Sequence, residues 1–203
     1  MTDDVLKPDL WAPRSVTETR AIYADWADSY DADVIASGYA TPTRLAQALR
    51  DHIAARDRIL DFGCGTGLSG KALTHAGFTD VHGTDISPEM LDHAQNAGVY
   101  TQLWQSEPGS IDIQHGPYAA IVAAGVISLG AAPPETFETL IGALPAGGLL
   151  AFSFNDPTLT DGSYDAYLDG LITAGKLTVL YRAHGPHLPK KDMGSDIIIA
   201  RVT

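Results

Sequence analysis

The sequence predicts an α/β fold built on a doubly wound, largely parallel sheet with helices on both faces. Three observations carry that expectation. From residue 58 onward, short apolar runs alternate with amphipathic helical stretches, which is the pattern of repeated strand–helix units. One such run, Ile59–Phe62, passes directly into a glycine-rich turn that opens a helix. Another, Tyr118–Ala124, is apolar throughout, as expected of a strand covered on both faces.

The elements follow in order. Residues 1–14 contain two prolines and little periodicity, and are expected to form a flexible tail with Trp11 as a possible anchor. From Ser15 to Ser37 the spacing is helical, with Ile22, Trp26 and Tyr30 recurring every four residues and Tyr23 beside them. Thr41 fits an N-cap and Pro42 a first helical turn, opening a helix to about Ala55 with Leu45, Ala48, Leu49 and Ile53 on its apolar face. Strands are then expected at 59–62, 80–84, 99–104, 118–124 and 147–154. Helices are expected at 68–76, from a Ser87 cap to 96, at 135–144 and at 161–174. Strands 177–183 and 196–202 have no long helix between them, so they pair as a hairpin and the final strand runs antiparallel. The division is a tail (1–14) and a single domain (15–203), with helices over 15–56 and the sheet over 57–203.

The bulk numbers narrow the function. The 203 residues suit one domain. Thirteen Lys and Arg face 25 Asp and Glu, a net charge of −12, with no basic run to neutralise phosphates; nucleic acid and anionic membranes are therefore not expected partners. The single cysteine, Cys64, excludes an intramolecular disulfide. No secretory signal or run of about 18 apolar residues occurs, so the expected location is cytoplasmic. No His/Asp/Glu cluster has metal-ligand spacing, and no metal is expected.

The sharpest signal is Asp61-Phe-Gly63-Cys64-Gly65-Thr-Gly67. Glycines let a ligand lie against bare backbone, and the helix that follows presents its N–H groups. Gly65, Gly67 and Gly70 also spell the dinucleotide fingerprint, with Asp85 twenty residues after Gly65. Asp61 decides against that rival. A carboxylate beside the first glycine would repel a pyrophosphate, whereas it would attract a ligand carrying an ammonium and a sulfonium. Asp85, closing the second strand, can accept both ribose hydroxyls, with Ile86 against an adenine face. Ser106 and Glu107, ending the third strand, can meet the adenine edge by a backbone N–H and a carboxylate. Cys64 is read as a structural part of the loop. Ala124, at the end of the fourth strand, completes the expected cofactor wall.

These residues resemble class I methyltransferases that use S-adenosylmethionine. Asp61–Gly67 is similar to their first motif and Asp85-Ile-Ser-Pro-Glu-Met-Leu91 to their second. Tyr118–Gly125 is similar to their fourth strand, with Ala119 where an acid is usual, and Leu144-Pro-Ala-Gly-Gly148-Leu-Leu-Ala-Phe to their fifth. A narrower resemblance is to the Williams–Beuren-region methyltransferase-like proteins, through Tyr23-Ala-Asp-Trp26-Ala-Asp-Ser-Tyr30-Asp31, Gly38-Tyr39, Pro42, Gly125-Val-Ile-Ser128, Gly130 and Pro133-Pro134. The resemblance implies a Rossmann-like seven-stranded sheet in the order 3-2-1-4-5-7-6 with strand seven antiparallel. It also implies an N-terminal helical lid that places Tyr23 and Tyr30 near the methionine end, and S-adenosylhomocysteine as product.

The acceptor is less legible. Methyl transfer from a sulfonium is an in-line displacement, so alignment and exclusion of water matter more than a base. The Asn/Asp-Pro-Pro-aromatic motif of base amine methylation does not follow the fourth strand, and no cysteine nucleophile stands there. A small-molecule acceptor is expected, with Ser128 and His184 as residues that could orient it and no catalytic residue assigned. His187 is grouped with His184 as loop surface, and His75, His82, His93 and His115 as helix or loop surface. Alternatives are a protein-directed methyltransferase, a nicotinamide-dependent oxidoreductase and a cofactor-binding module without turnover. The chain is expected as a monomer or homodimer.

Overall fold

In a computed structural model of the chain, which describes residue 6 and residues 8–111 and 115–203, the alternation of strand and helix closes into one sheet. β1 (Ile59–Phe62) lies in its interior. β2 (Val81–Asp85) and β3 (Gln102–Gln105) build to one side. β4 (Ala120–Ala123), β5 (Leu149–Asn155), β7 (Met193–Val202) and β6 (Leu177–Leu188) build to the other, giving the order β3-β2-β1-β4-β5-β7-β6. The first five strands pair parallel, and β7 runs antiparallel to both of its neighbours.

Connection chemistry explains this. Parallel neighbours need long crossovers; helices α3 (Leu68–His75), α4 (Pro88–Ala97) and α5 (Thr136–Ala143) supply most of them, while α6 (Asp156–Asp161) and α7 (Ser163–Thr173) carry the chain from β5 to β6. Between β6 and β7 there is only a short 3-10 turn, Pro189–Lys191, so these strands fold back as a hairpin. That hairpin is longer than the apolar pattern suggests. Pairing runs on through His184↔Asp196 and Pro186↔Gly194, where polar side chains conceal the strand period. The helix expected at 161–174 is α7, and a further helix, α6, precedes it and ends at Gly162, at φ 76°.

Successive residues of each strand face opposite sides of the sheet, and two cores result. Leu60, Ile121, Leu150, Phe152 and Phe154 meet Phe137 and Leu140 of α5 and Leu168 of α7. Ile59, Val122, Ala151, Ile197 and Ile199 meet Leu73 of α3 and the Leu45–Ala46–Leu49 face of α2 (Thr41–Arg50). His82, read from sequence as surface, is buried on β2, where Nδ1 lies 3.2 Å from the Tyr118 hydroxyl and Nε2 3.2 Å from Asp80.

Two cap expectations meet different outcomes. Ser87 does cap α4, accepting from the Met90 N–H. Thr41 does not cap α2; Ala40 holds the cap position, and the buried Thr41 hydroxyl turns to His187 and Ser195 instead. A third, smaller cluster joins α1 (Val16–Ala36) to its surroundings. Trp26 and Val34 pack there with Leu6 and Leu188, flanked by Leu10 and Trp11. No helix of the described residues is long and apolar enough to cross a membrane.

Candidate active site

The glycine loop leaves β1 at the carboxyl edge of the sheet. Gly63, Gly65 and Gly67 have φ of 68°, 52° and 94°, a region that L side chains rarely adopt. At Gly63 the need is also steric, because a Cβ would stand 2.6 Å from Val126 Cγ2.

Asp61 is fully buried beneath this loop. Its Oδ2 accepts from the Ser69 hydroxyl at 2.5 Å and the Tyr100 hydroxyl at 2.7 Å. Its Oδ1 has no hydrogen-bond partner among the described residues, an arrangement that folded proteins rarely leave unexplained. Burial pushes the carboxyl up to about 6, against the opposing effect of the two hydroxyl donors.

Asp85 ends β2 with both oxygens engaged by backbone. Oδ2 accepts from the Gly65 N–H at 2.8 Å and Oδ1 from the Ser87 N–H at 2.9 Å. An ionised carboxylate has about four lone-pair sites, so each oxygen retains one. Burial raises its pKa, and the backbone donors oppose the rise.

Asp85 and the glycine loop border a cavity of about 440 Å³. Gly63, Gly65, Asp85, Ile86, Ser106, Ala124, Tyr23 and Tyr30 line it. Helix α1 is fastened over it: the Thr66 hydroxyl donates to Asp31 Oδ1 at 2.5 Å, and Lys71 Nζ lies 3.4 Å from Asp31 Oδ2. Met90, at the start of α4, and Thr136 and Thr139 of α5 extend the lining.

A second cavity, about 50 Å³, adjoins the first; Tyr23, Tyr30 and Gly125 line both. It is enclosed by Trp11, Trp26 and Tyr39 and by the polar side chains of Ser128, Asn155 and His187. Gly125 has φ 73°, and a Cβ there would come within 3.1 Å of the Tyr39 hydroxyl. Burial drives the Tyr23, Tyr30 and Tyr39 phenols above their ordinary range, so all three stay protonated.

A family model described as a methyltransferase domain matches residues 35–193. The chain belongs to this family. Its sheet order is that of the class I fold, and the family's cofactor is S-adenosylmethionine. Human methyltransferase-like protein 27 is 32% identical over 154 residues, covering 73% of this chain and 61% of that protein. A trans-aconitate 2-methyltransferase of Pseudomonas paraeruginosa is 32% identical over 135 residues, covering 63% and 46%. A ribosomal protein L11 methyltransferase of Pectobacterium carotovorum is 33% identical over 120 residues, covering 55% and 38%. The chain thus spans between 38% and 61% of the length of these relatives. Among solved structures, a TehB-like SAM-dependent methyltransferase from Corynebacterium glutamicum superposes with a TM-score of 0.62 at 20% identity, covering 90% of this chain and 99% of that one.

The residues present suit the family's cofactor. The unpartnered Asp61 oxygen provides an anionic acceptor, and the bare backbone at Gly63 and Gly65 borders the larger cavity. Of the twelve residues expected from sequence around the cofactor, Asp61, Cys64, Gly67 and Glu107 do not line that cavity. Asp61 sits under the loop. Gly67 is the N-cap of α3, Cys64 is buried with its thiol pushed far up by desolvation, and Glu107 is exposed.

Ser128 lines the smaller cavity, but His184 lines neither. His184 is exposed on β6, with Nδ1 2.9 Å from Asp196 Oδ1. His187, three residues on and at the bulge between Pro186 and Leu188, is buried instead. Sequence reasoning also missed Tyr39 and Asn155 as lining groups. Asn155 is the last residue of β5 and caps α6, and the Pro157 two residues on was the available sign of a helix cap there.

Proposed function

We propose that this chain transfers the methyl group of S-adenosylmethionine to a small-molecule acceptor, releasing S-adenosylhomocysteine. The observation that carries the reading is the pair of cavities meeting at Gly125, Tyr23 and Tyr30. The larger, with Asp85 and the glycine loop, suits a nucleoside; the smaller has room for only about four water-sized groups. In this reading, the free lone pairs of Asp85 take the ribose hydroxyls and Ile86 packs on the adenine beside Ser106. The Asp61 carboxylate attracts the ammonium, and Tyr23 and Tyr30 cover the methionine end. Helix α1 serves as the lid, while α2 packs on the sheet.

A relative named for trans-aconitate supports a small acceptor, whereas one named for ribosomal protein L11 favours a protein acceptor. Two assays separate them. Calorimetric titration with S-adenosylmethionine, S-adenosylhomocysteine and NAD should give micromolar binding of the first two and none of NAD. Incubation with radiolabelled S-adenosylmethionine and a cell extract should then place the label in the small-molecule fraction. Label confined to protein would overturn the acceptor class, and NAD binding alone would overturn the cofactor.

A further inference from the structure

The smaller cavity contains an unusual polar inventory. Asn155 is 6% exposed and His187 7% exposed, and both line it. The orientation of each side chain is fixed from behind. Asn155 Oδ1 accepts from the Thr158 N–H at 3.1 Å and the Thr158 hydroxyl at 2.7 Å. An N–H can only donate, so the atom facing it must be the amide oxygen. The Asn155 NH₂ group is therefore the free end, and it has no partner among the described residues.

The His187 tautomer is set by a longer chain. The Arg44 guanidinium donates to Ser195 Oγ at 3.1 Å, and arginine has no acceptor. Ser195 Oγ lies 2.9 Å from Thr41 Oγ1, which lies 2.7 Å from His187 Nδ1. Ser195 is fully buried and Thr41 Oγ1 is the one acceptor its own hydroxyl hydrogen meets among the described residues, so Ser195 donates to Thr41 and Thr41 donates to Nδ1. The neutral ring then carries its proton on Nε2, which has no partner among the described residues. Burial, reinforced by Arg44, pushes the ring down to about 4, with Asp156 opposing, so it stays neutral at physiological pH.

Two neutral N–H donors thus enter one small cavity without partners. No charged side chain lines it among the described residues. Nothing there can take a proton either: His187 Nε2 already holds one, and the tyrosines are protonated acids. An alcohol needing deprotonation is poorly served, and an amine would become an ammonium on methylation with no anion or base beside it. An oxygen that accepts two hydrogen bonds and is already a nucleophile at neutral pH fits both conditions.

We propose that the acceptor is a carboxylate, held by the Asn155 side-chain NH₂ and the His187 Nε2–H, and that the product is its methyl ester. This rests on the methyltransferase reading above. A carboxylate oxygen donates a lone pair to the methyl carbon; the new C–O bond forms as the C–S bond breaks, and that electron pair returns to sulfur. The positive charge of the sulfonium and the negative charge of the carboxylate both disappear, so no proton has to move. Asn155 and His187 are positioning residues for this step. Neutral donors suit it, because they orient the carboxylate without neutralising its nucleophilic charge.

The test uses the full chain saturated with S-adenosylhomocysteine and titrated with propionate, 1-propanol and propylamine. Binding is followed by NMR of the Asn155 side-chain NH₂ and the His187 ring. Propionate should shift both signals, and the two controls should not. Asn155→Asp keeps an oxygen to cap Thr158 but replaces the donor with an anion. It should preserve the thermal midpoint and S-adenosylhomocysteine affinity while weakening propionate at least tenfold. His187→Phe should weaken propionate by a similar factor, and the product formed from a mixed acid extract should release methanol in mild base. Propionate binding that survives Asn155→Asp, or a base-stable product, overturns the carboxylate assignment alone. Failure to bind S-adenosylhomocysteine overturns the methyltransferase reading, and this assignment with it.

Discussion

The hydroxyl of Tyr100 donates to the buried carboxylate of Asp61 at 2.7 Å and accepts from the Gly70 N–H at 3.2 Å. One phenol therefore ties the loop before β3 to the end of β1 and to helix α3. It also stabilises the ionised form of a carboxyl that burial pushes up to about 6. Tyr100→Phe removes that donor. A hydrogen bond to a charged group contributes about 1.5 kcal/mol or more, which moves the Asp61 titration about one pH higher. If the ionised form attracts the cofactor's ammonium, affinity for S-adenosylhomocysteine should fall about twofold at pH 7 and about fivefold at pH 6. It should match the unmodified chain above pH 8. Calorimetry across that range checks this, and a deficit that does not vary with pH sinks it.

The same carboxyl should leave a mark on stability. Its folded pKa, about 6, lies above the ordinary value of 3.8, so the folded state binds the proton more tightly than the unfolded chain does. Stability contributed by the protonated group is complete below about pH 4 and is lost as pH rises through about 6. The loss is on the order of 3 kcal/mol. Because other groups titrate too, the informative quantity is the difference between the unmodified chain and Asp61→Asn. Urea unfolding without cofactor should show that difference moving in favour of Asp61→Asn between pH 4 and 6, then levelling. A constant difference removes the desolvation argument.

How much of this was legible in the sequence depends on the range of each interaction. The parallel, doubly wound sheet followed from strand–helix alternation, and its strand order from the motif resemblance. The positions of Gly63 and Asp85 were legible because a turn and a strand end fix them locally. Tyr100 was not, since its role depends on the Asp61 carboxylate 39 residues away. The exchange of His184 for His187 has a similar cause. Both follow the apolar part of β6, and the bulge between Pro186 and Leu188, which breaks the alternation at His187, shows only in the hairpin pairing. Thr41 looked like a cap because its spacing suited one, yet partners 146 and 154 residues distant claim its hydroxyl.

The clasp between Thr66 and Asp31 yields a prediction about motion. It joins the glycine loop to α1, and Lys71 adds a part-exposed ion pair 3.4 Å away, the kind that contributes little by itself. Thr66→Val keeps the shape of the side chain and removes the hydroxyl. Helix α1 should then exchange its backbone hydrogens faster, while α5 and α7 are unchanged, and S-adenosylhomocysteine should dissociate several-fold faster. Mass-resolved hydrogen exchange and stopped-flow release check the two halves. Unchanged exchange in α1 would mean that the Trp26 and Val34 packing holds the helix without the clasp.

Asp85 offers the most direct test of the cofactor assignment, because its two tasks separate by substitution. Its oxygens accept the Gly65 and Ser87 N–H groups, and in the proposed reading their remaining lone pairs accept ribose hydroxyls. Asp85→Ala removes both sets. Cofactor affinity should fall by roughly 1.5–3 kcal/mol, about 10- to 150-fold, as for lost charge-assisted hydrogen bonds. Stability should fall as well, since two backbone donors lose their acceptor. Asp85→Asn keeps one oxygen, so it can still satisfy one of those N–H groups while its NH₂ turns a donor toward the other. It should unfold at a temperature between those of Asp85→Ala and the unmodified chain. Its cofactor affinity should nevertheless be reduced nearly as far as in Asp85→Ala, because the charge is gone in both. Two variants with equal affinity loss but unequal stability assign the carboxylate charge to the ribose. If affinity instead tracks the thermal midpoint across the pair, Asp85 acts only by holding the loop in shape.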